Sequence, residues 1–277
     1  QIDPLVMFYI TAANWGLLVH MLKGPNWRAF WFGCFCAGLG VITKGVGVLA
    51  LFMLVPYVVA WRGGWDGVSR MGPGAWWRWP LGLVALLAAI ALWLVPMLLG
   101  AKAHGSDPTY AGYVNDILFH QTAGRYSKSW DHHHSPFYYV PIVLFSWLPL
   151  SLTYPGTLPR WWQRLKAKDA RILLPLGWIV LILVFFAIPK GKRDVYIMPA
   201  LPMLALITGP FLHELLQKRW LRIAGLVFIG TMGAAMLGVG AAALIAHPKF
   251  ATEFATARGF DDGGHALWWM FVTIGAV

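Results

Sequence analysis

Four stretches of this 277-residue chain carry side chains suited to chemistry. The densest is Ile188-Pro189-Lys190-Gly191-Lys192-Arg193-Asp194-Val195-Tyr196, where three cations occupy four positions. Lysine and arginine bring positive charge and several donors to phosphate oxygens, arginine bidentately. Tyr196 adds a neutral phenolic donor. Such a run either clamps an anion or is a solvated charged turn, in which Asp194 offsets Arg193. Lys44, in Ile42-Thr43-Lys44-Gly45, closes an apolar run. It reads as a second phosphate cation or as a lysine snorkelling from a helix end. Asp3 opens another apolar run beside Pro4. An acid there can cap a helix, with Pro4 at the first helical position. Capping and a functional role need not exclude each other. The fourth stretch, residues 116–126, mixes apolar side chains with His120, Arg125 and Tyr126, as a helix lying on a membrane does. His120 is able to hold a metal or move a proton. Asp131-His132-His133-His134 resembles a metal cluster, but neighbouring side chains diverge and no second ligand group stands at a recognised spacing. An exposed polar loop is the plainer reading of it.

The elements that must position these residues are membrane helices. Charged residues make up 12% of the chain, against about 25% in soluble domains, and hydrophobic residues make up 58%. That balance excludes intrinsic disorder and argues strongly against a water-soluble globule. Cys34 and Cys36 share one apolar run, so they frame no disulfide scaffold. A span needs about 20 mostly apolar residues. Reading from charge to charge gives nine candidates: 4–22, 29–43, 45–61, 79–101, 136–159, 172–189, 195–213, 223–247 and 266–277. The expected fold is an all-α polytopic membrane protein of about nine transmembrane helices, with a long loop at 102–135 that holds a short interfacial helix. The chain starts at Gln1 with no signal-peptide pattern and stops inside the last apolar run, so it reads as a segment truncated at both ends.

Nine crossings sort the connections onto two sides. One side takes 23–28, 62–78, 160–171 and 214–222, with 13 of the 22 Lys and Arg and three acids. The other takes Asp3, Lys44-Gly45, 102–135, 190–194 and 248–265, with nine cations and eight acids. The net charges are therefore +10 and +1, and positive charge collects on the cytoplasmic side. All four stretches above then face outward. The overall charge of +11 does not point to nucleic acid, because the basic residues alternate with hydrophobic runs and suit anionic lipid better. Trp61, Trp65, Trp76, Trp77, Trp79, Trp161 and Trp162 flank the cytoplasmic loops, as interfacial rings do. Pro56, Pro96, Pro141, Pro149, Pro199 and Pro202 lie in or near spans and predict kinks in several helices.

In chain order, Ile42-Thr43-Lys44-Gly45, then His120 with Arg125-Tyr126, then Pro136-Phe137-Tyr138-Tyr139-Val140-Pro141, then Lys190-Gly191-Lys192-Arg193-Asp194-Val195-Tyr196-Ile197-Met198-Pro199 resemble the polytopic glycosyltransferases of the GT-C class. Within it, the similarity is to the bacterial 4-amino-4-deoxy-L-arabinose transferase and protein O-mannosyltransferase-like branch. It covers about residues 1–215, and 223–277 carry none of its motifs. The resemblance implies a single transmembrane domain over 1–277 that transfers a sugar from a polyprenyl phosphate to a lipid (lipid A-like) or protein acceptor. It also implies a multi-pass protein of the bacterial inner membrane with its site facing the periplasm. It assigns Tyr196, Lys190, Lys192, Lys44 and Arg125 to the donor phosphate, with Arg193 and Asp194 standing where the branch usually has an uncharged pair. It makes His120 a contact of a divalent metal and Asp3 the second acid of the active site, the leading acid lying upstream. A polyprenyl-lipid carrier or flippase would use the same phosphate clamp without chemistry. Such a transporter tends to show internal repeats and mid-membrane charges, and neither is visible. A membrane scaffold leaves the 190–193 cations unexplained.

Overall fold

The computed structural model describes residues 2–70, 74–103, 134–260 and 263–277. The described residues are helical and hold no strand. The histidine run 131–133, the proposed interfacial helix at 116–126, His120 and Arg125 lie outside them. Two compact units are present, residues 1–211 and 212–277.

The first unit opens with α1 (Asp3–Lys23) and α2 (Trp27–Lys44). A 3-10 stretch, Val46–Met53, runs into α3 (Leu54–Arg62), and α4 (Trp79–Ala103) follows. The bent pair Pro136–Ser146 and Leu150–Lys166 comes next, its second half holding α5 (Tyr154–Lys166), then α6 (Ala170–Ala187) and α7 (Ala200–Leu216). In lipid the backbone must satisfy its own hydrogen bonds, which is why these apolar runs become helices. Two lipid-facing helices gain little from burying apolar surface on one another, so close packing decides which of them touch. A Cβ on Gly33 would meet the Ala13 carbonyl at 2.8 Å, and one on Gly16 would collide with the Ala29 carbonyl. These two glycines let α1 and α2 cross backbone to backbone. Inside the unit, buried tryptophans spend their N–H groups on carbonyls of other elements. Trp178 bonds Leu49 at 2.9 Å and Trp161 bonds Ile207 at 3.0 Å.

Each of the nine charge-free stretches falls on helix. Among the described residues, four helices are long and apolar enough to cross a membrane: α1, Trp76–Ala103, α6 and α8 (Arg219–Ala246). Pro136–Ser146 and Leu150–Lys166, which meet at 87°, are long and apolar enough when taken together as one broken span. The expected kinks at Pro141 and Pro149 become this break, where a π turn (Ile142–Ser146) ends and Pro149 lacks the N–H a helix would need. The runs Val46–Arg62, Ala200–Leu216 and His265–Ala276 are shorter apolar helices. The second unit holds α8, α9 (Lys249–Ala257) and α10 (His265–Ala276). The sequence gives no sign of α9, which lies within the connection read as a loop at 248–265. Trp268 is buried and donates to the Gly263 carbonyl at 3.2 Å.

The connections 62–70 and 166–171, sorted to one side by charge, are joined to one another. The Asp66 N–H donates to the Lys168 carbonyl at 2.8 Å, and the Ala170 N–H to the Asp66 carbonyl at 3.0 Å. The Ser69 N–H reaches the Met21 carbonyl at the end of α1. Asp169 caps α6 by accepting from the Arg171 N–H at 3.0 Å, and it pairs with both Arg164 and Arg171. Burial alone would raise its carboxyl. The Arg171 hydrogen bonds and the charges of Arg171 and Arg164 outweigh that and hold it below the usual carboxylate value.

Candidate functional site

At the other end of the first unit, where α1 begins and α2 stops, the Asp3 carboxylate and the Lys44 ammonium form an ion pair. Asp3 does not cap α1. Ile2 is the N-cap residue, Pro4 lies in the first turn, and the carboxylate turns aside to Lys44. α2 stops at Lys44 because Gly45 takes φ +79°, a left-handed cap whose N–H bonds the Val41 carbonyl at 2.7 Å. That ending places a cation over the negative pole of the helix. The two side chains keep 23% and 26% of their surface exposed, so the pair remains open to a ligand.

Tyr196 closes the group from far along the chain. The Lys44 Nζ lies 5.3 Å from the centre of its ring, a cation–π distance. Tyr196 stands on the 3-10 turn Asp194–Ile197, and its ring packs at 5.4 Å from that of Phe186 in α6. Asp194 does not offset Arg193 through an ion pair among the described residues. Its carboxylate accepts the Val195 N–H at 2.9 Å. Lys190 and Arg193 are exposed at this end. Lys192 points inward: it is 2% exposed, and its Nζ donates to the Pro189 carbonyl at 2.6 Å and the His134 carbonyl at 3.2 Å.

The stretch that follows the long loop docks on this turn. The His134 N–H donates to the Lys190 carbonyl at 3.2 Å, and its ring stacks on Tyr138 at 4.2 Å. The buried Tyr139 hydroxyl donates to the Arg193 carbonyl at 3.3 Å. The arrangement therefore sets a carboxylate beside one half-covered cation and a phenol, with two further exposed cations on the same turn. It can hold a phosphate group next to a base.

No family model matches the chain. The undecaprenyl phosphate-α-4-amino-4-deoxy-L-arabinose arabinosyl transferase of Edwardsiella ictaluri (strain 93-146) is 30% identical over 262 residues, which cover 90% of this chain and 44% of that protein. The enzyme of the same description from Pseudomonas aeruginosa (strain LESB58) is 29% identical over 253 residues, 89% of this chain and 42% of that one. The crystal structure of ArnT from Cupriavidus metallidurans bound to undecaprenyl phosphate matches the fold with a TM-score of 0.62, over 99% of this chain and 53% of that chain, at 20% identity. The chain is similar in sequence to these arabinosyl transferases and in fold to ArnT. It spans less than half the length of the curated relatives it matches.

The structure brings together Asp3, Lys44 and Tyr196 out of the residues singled out by sequence, and places Lys190 and Arg193 on the adjoining turn. Lys192 belongs to the same turn but works from beneath it. His120 and Arg125 fall outside the described residues, and among those residues no three His, Cys, Asp or Glu side chains group closely enough to hold a metal. Sequence reasoning missed His134, Tyr138 and Tyr139 as supports of the turn. The signal for the two tyrosines was present in the Pro136–Pro141 motif, where adjacent tyrosines carry polar tips in an apolar run.

Proposed function

We propose that the protein containing this chain is a membrane glycosyltransferase. It moves a sugar from a polyprenyl-phosphate donor to a lipid (lipid A-like) or protein acceptor on the extracytoplasmic face of the bacterial inner membrane. The observation that carries the proposal is the meeting of Asp3, Lys44 and Tyr196 beside the cationic turn. The description of the relatives as undecaprenyl-phosphate-dependent arabinosyl transferases supports the donor class. We assign nine crossings to the nine apolar stretches, which puts the site on the side with the +1 net charge.

In the reaction, the bond between the anomeric carbon of the sugar and the carrier phosphate oxygen breaks, and its electron pair stays on the phosphate. Lys44, Lys190, Arg193 and Tyr196 face that developing charge and stabilise it. The acceptor hydroxyl oxygen bonds to the anomeric carbon, and its proton passes to the Asp3 carboxylate. Lys44 holds Asp3 and the phosphate in register, because one ammonium has donors for both. Lys192, whose ammonium is taken by two backbone carbonyls, holds the turn, and Arg125 is assigned to the same phosphate by the sequence resemblance alone. A divalent metal at His120 would add Lewis-acid stabilisation of the same phosphate. The steps above are those of the protein side chains alone.

The test is incubation of membranes carrying the full-length protein with a labelled polyprenyl-phosphate sugar. Transfer of label to lipid or protein, with release of the carrier phosphate, is the expected outcome. Binding without turnover would replace the enzyme by a carrier.

A further inference from the structure

Lys192 is the least expected residue at this end of the molecule. It is a lysine with 2% of its surface exposed, and among the described residues no carboxylate lies within 4.0 Å of its Nζ. Burying an ammonium without a counter-ion is costly unless its donors are well used. Here they go to backbone. One reaches the Pro189 carbonyl on its own turn, and another crosses to the His134 carbonyl, 58 residues away in sequence. The His134 N–H answers by donating to the Lys190 carbonyl. Both backbone groups of His134 are therefore held by the 190–192 turn. The next residues add to the attachment, through the stacking of His134 on Tyr138 and the Tyr139 hydroxyl on the Arg193 carbonyl. On its opposite flank the same turn carries Tyr196 against Lys44, and Lys44 holds Asp3.

We propose that Lys192 is a positioning residue. It ties the stretch His134–Tyr139 to the turn that carries Lys190, Arg193 and Tyr196, and so holds those three groups in place toward the donor. This deepens the reading of the site as a polyprenyl-phosphate glycosyltransferase and rests on it. A charged latch suits the task because a charge-assisted donor is stronger than a neutral one. Its two acceptors are main-chain atoms, so the latch sets backbone rather than rotamer. A lysine serving only as a phosphate contact would present its ammonium to solvent at the mouth, as Lys190 and Arg193 do.

The experiment uses the full-length protein and the Lys192→Met variant, which keeps the side-chain volume and removes the donors. Hydrogen exchange of the peptide covering 134–139 is expected to speed up tenfold or more, while exchange in 30–40 of α2 stays unchanged. Affinity for undecaprenyl phosphate is expected to hold within about threefold, and kcat to fall tenfold or more. His134→Pro removes the answering N–H from the loop side, and should speed exchange at Lys192–Tyr196 even if the Lys192 variant proves too unstable to isolate. Unchanged exchange at 134–139 in Lys192→Met, or at the turn in His134→Pro, overturns the latch. A tenfold loss of undecaprenyl phosphate affinity with exchange unchanged overturns it in favour of direct phosphate contact. If the wild-type protein neither binds the carrier phosphate nor transfers sugar, the enzymatic reading fails by itself, and the exchange measurements still decide the latch.

Discussion

Asp3, Lys44 and Tyr196 meet at the centre of the proposed site, and the first two can be probed one at a time. Lys44 is a charge-assisted donor beside the proposed phosphate, a contact of about 1.5–3 kcal/mol, so Lys44→Ala should weaken undecaprenyl phosphate binding roughly tenfold or more in a titration. Asp3→Asn keeps the shape but removes the base. Turnover should then drop by about a hundredfold or more, with carrier-phosphate affinity unchanged or improved, because Lys44 loses its internal partner. Equal loss of binding and turnover in Asp3→Asn would make the acid a structural strut. The double variant should be non-additive, since the two side chains touch. At this scale the sequence was informative about residue type and poor about direction. Three cations in four positions were legible as an anion site, but nothing in Lys190-Gly191-Lys192-Arg193 says that alternate residues differ in burial. That follows from the docking of His134, a contact made across 58 residues. Asp3 beside Pro4 read as a cap, and only the position of Lys44 reveals that the carboxylate is used elsewhere.

The elements explain why Asp3 and Lys44 meet at all. They sit at the start of α1 and the end of α2, and the crossing of those helices is set by Gly16 and Gly33. Gly33→Ala places a Cβ 2.8 Å from the Ala13 carbonyl, a backbone atom that cannot swing away. A cost of about 1–3 kcal/mol is expected, read as a fall of several degrees in melting temperature together with weaker carrier-phosphate binding. Gly209→Ala in α7, where nothing lies within 4 Å of the new atom, should be neutral or slightly stabilising. An equal effect of the two would separate the crossing from the site. At the other end, Asp169 caps α6 and anchors it to Arg164 and Arg171. Its carboxyl titrates below the ordinary 3.8, so the stability it adds is complete above that value and is lost as pH falls through the lower folded one. The melting difference between wild type and Asp169→Ala, about 1–2 kcal/mol from the cap, should be full at pH 7 and shrink below about pH 4. Helix identity was legible here because lipid admits few alternatives to helix. The sharp break at 147–149 was legible only as a kink, because proline says where a hydrogen bond is lost and not how far the chain then turns.

On the scale of the whole molecule, charge bias sorts the connections into two groups, and within the first unit several contacts among the described residues join members of the same group. Asp3, Lys44, His134 and the 190–196 turn share one end. Met21, 63–70 and 166–170 share the other, joined by the Asp66 and Ser69 backbone bonds. Net charge is additive along a sequence, so it survives ignorance of packing. The division into units at residue 211 depends on contacts and left no mark in composition. The proposed orientation, from net charges of +10 and +1 on the two sides, makes the connection 160–171 cytoplasmic and the stretch 102–135 extracytoplasmic. In intact cells, a membrane-impermeant thiol reagent should label a cysteine placed at Ser127 and spare one placed at Lys166 until the membrane is opened. Cys34 and Cys36 are buried and supply no background. Labelling at Lys166 in intact cells would invert the protein and put Asp3, Lys44 and Tyr196 on the cytoplasmic face. A donor presented from the outer leaflet could not reach them there, and both the proposed reaction and the latch that serves it would need a substrate supplied from within.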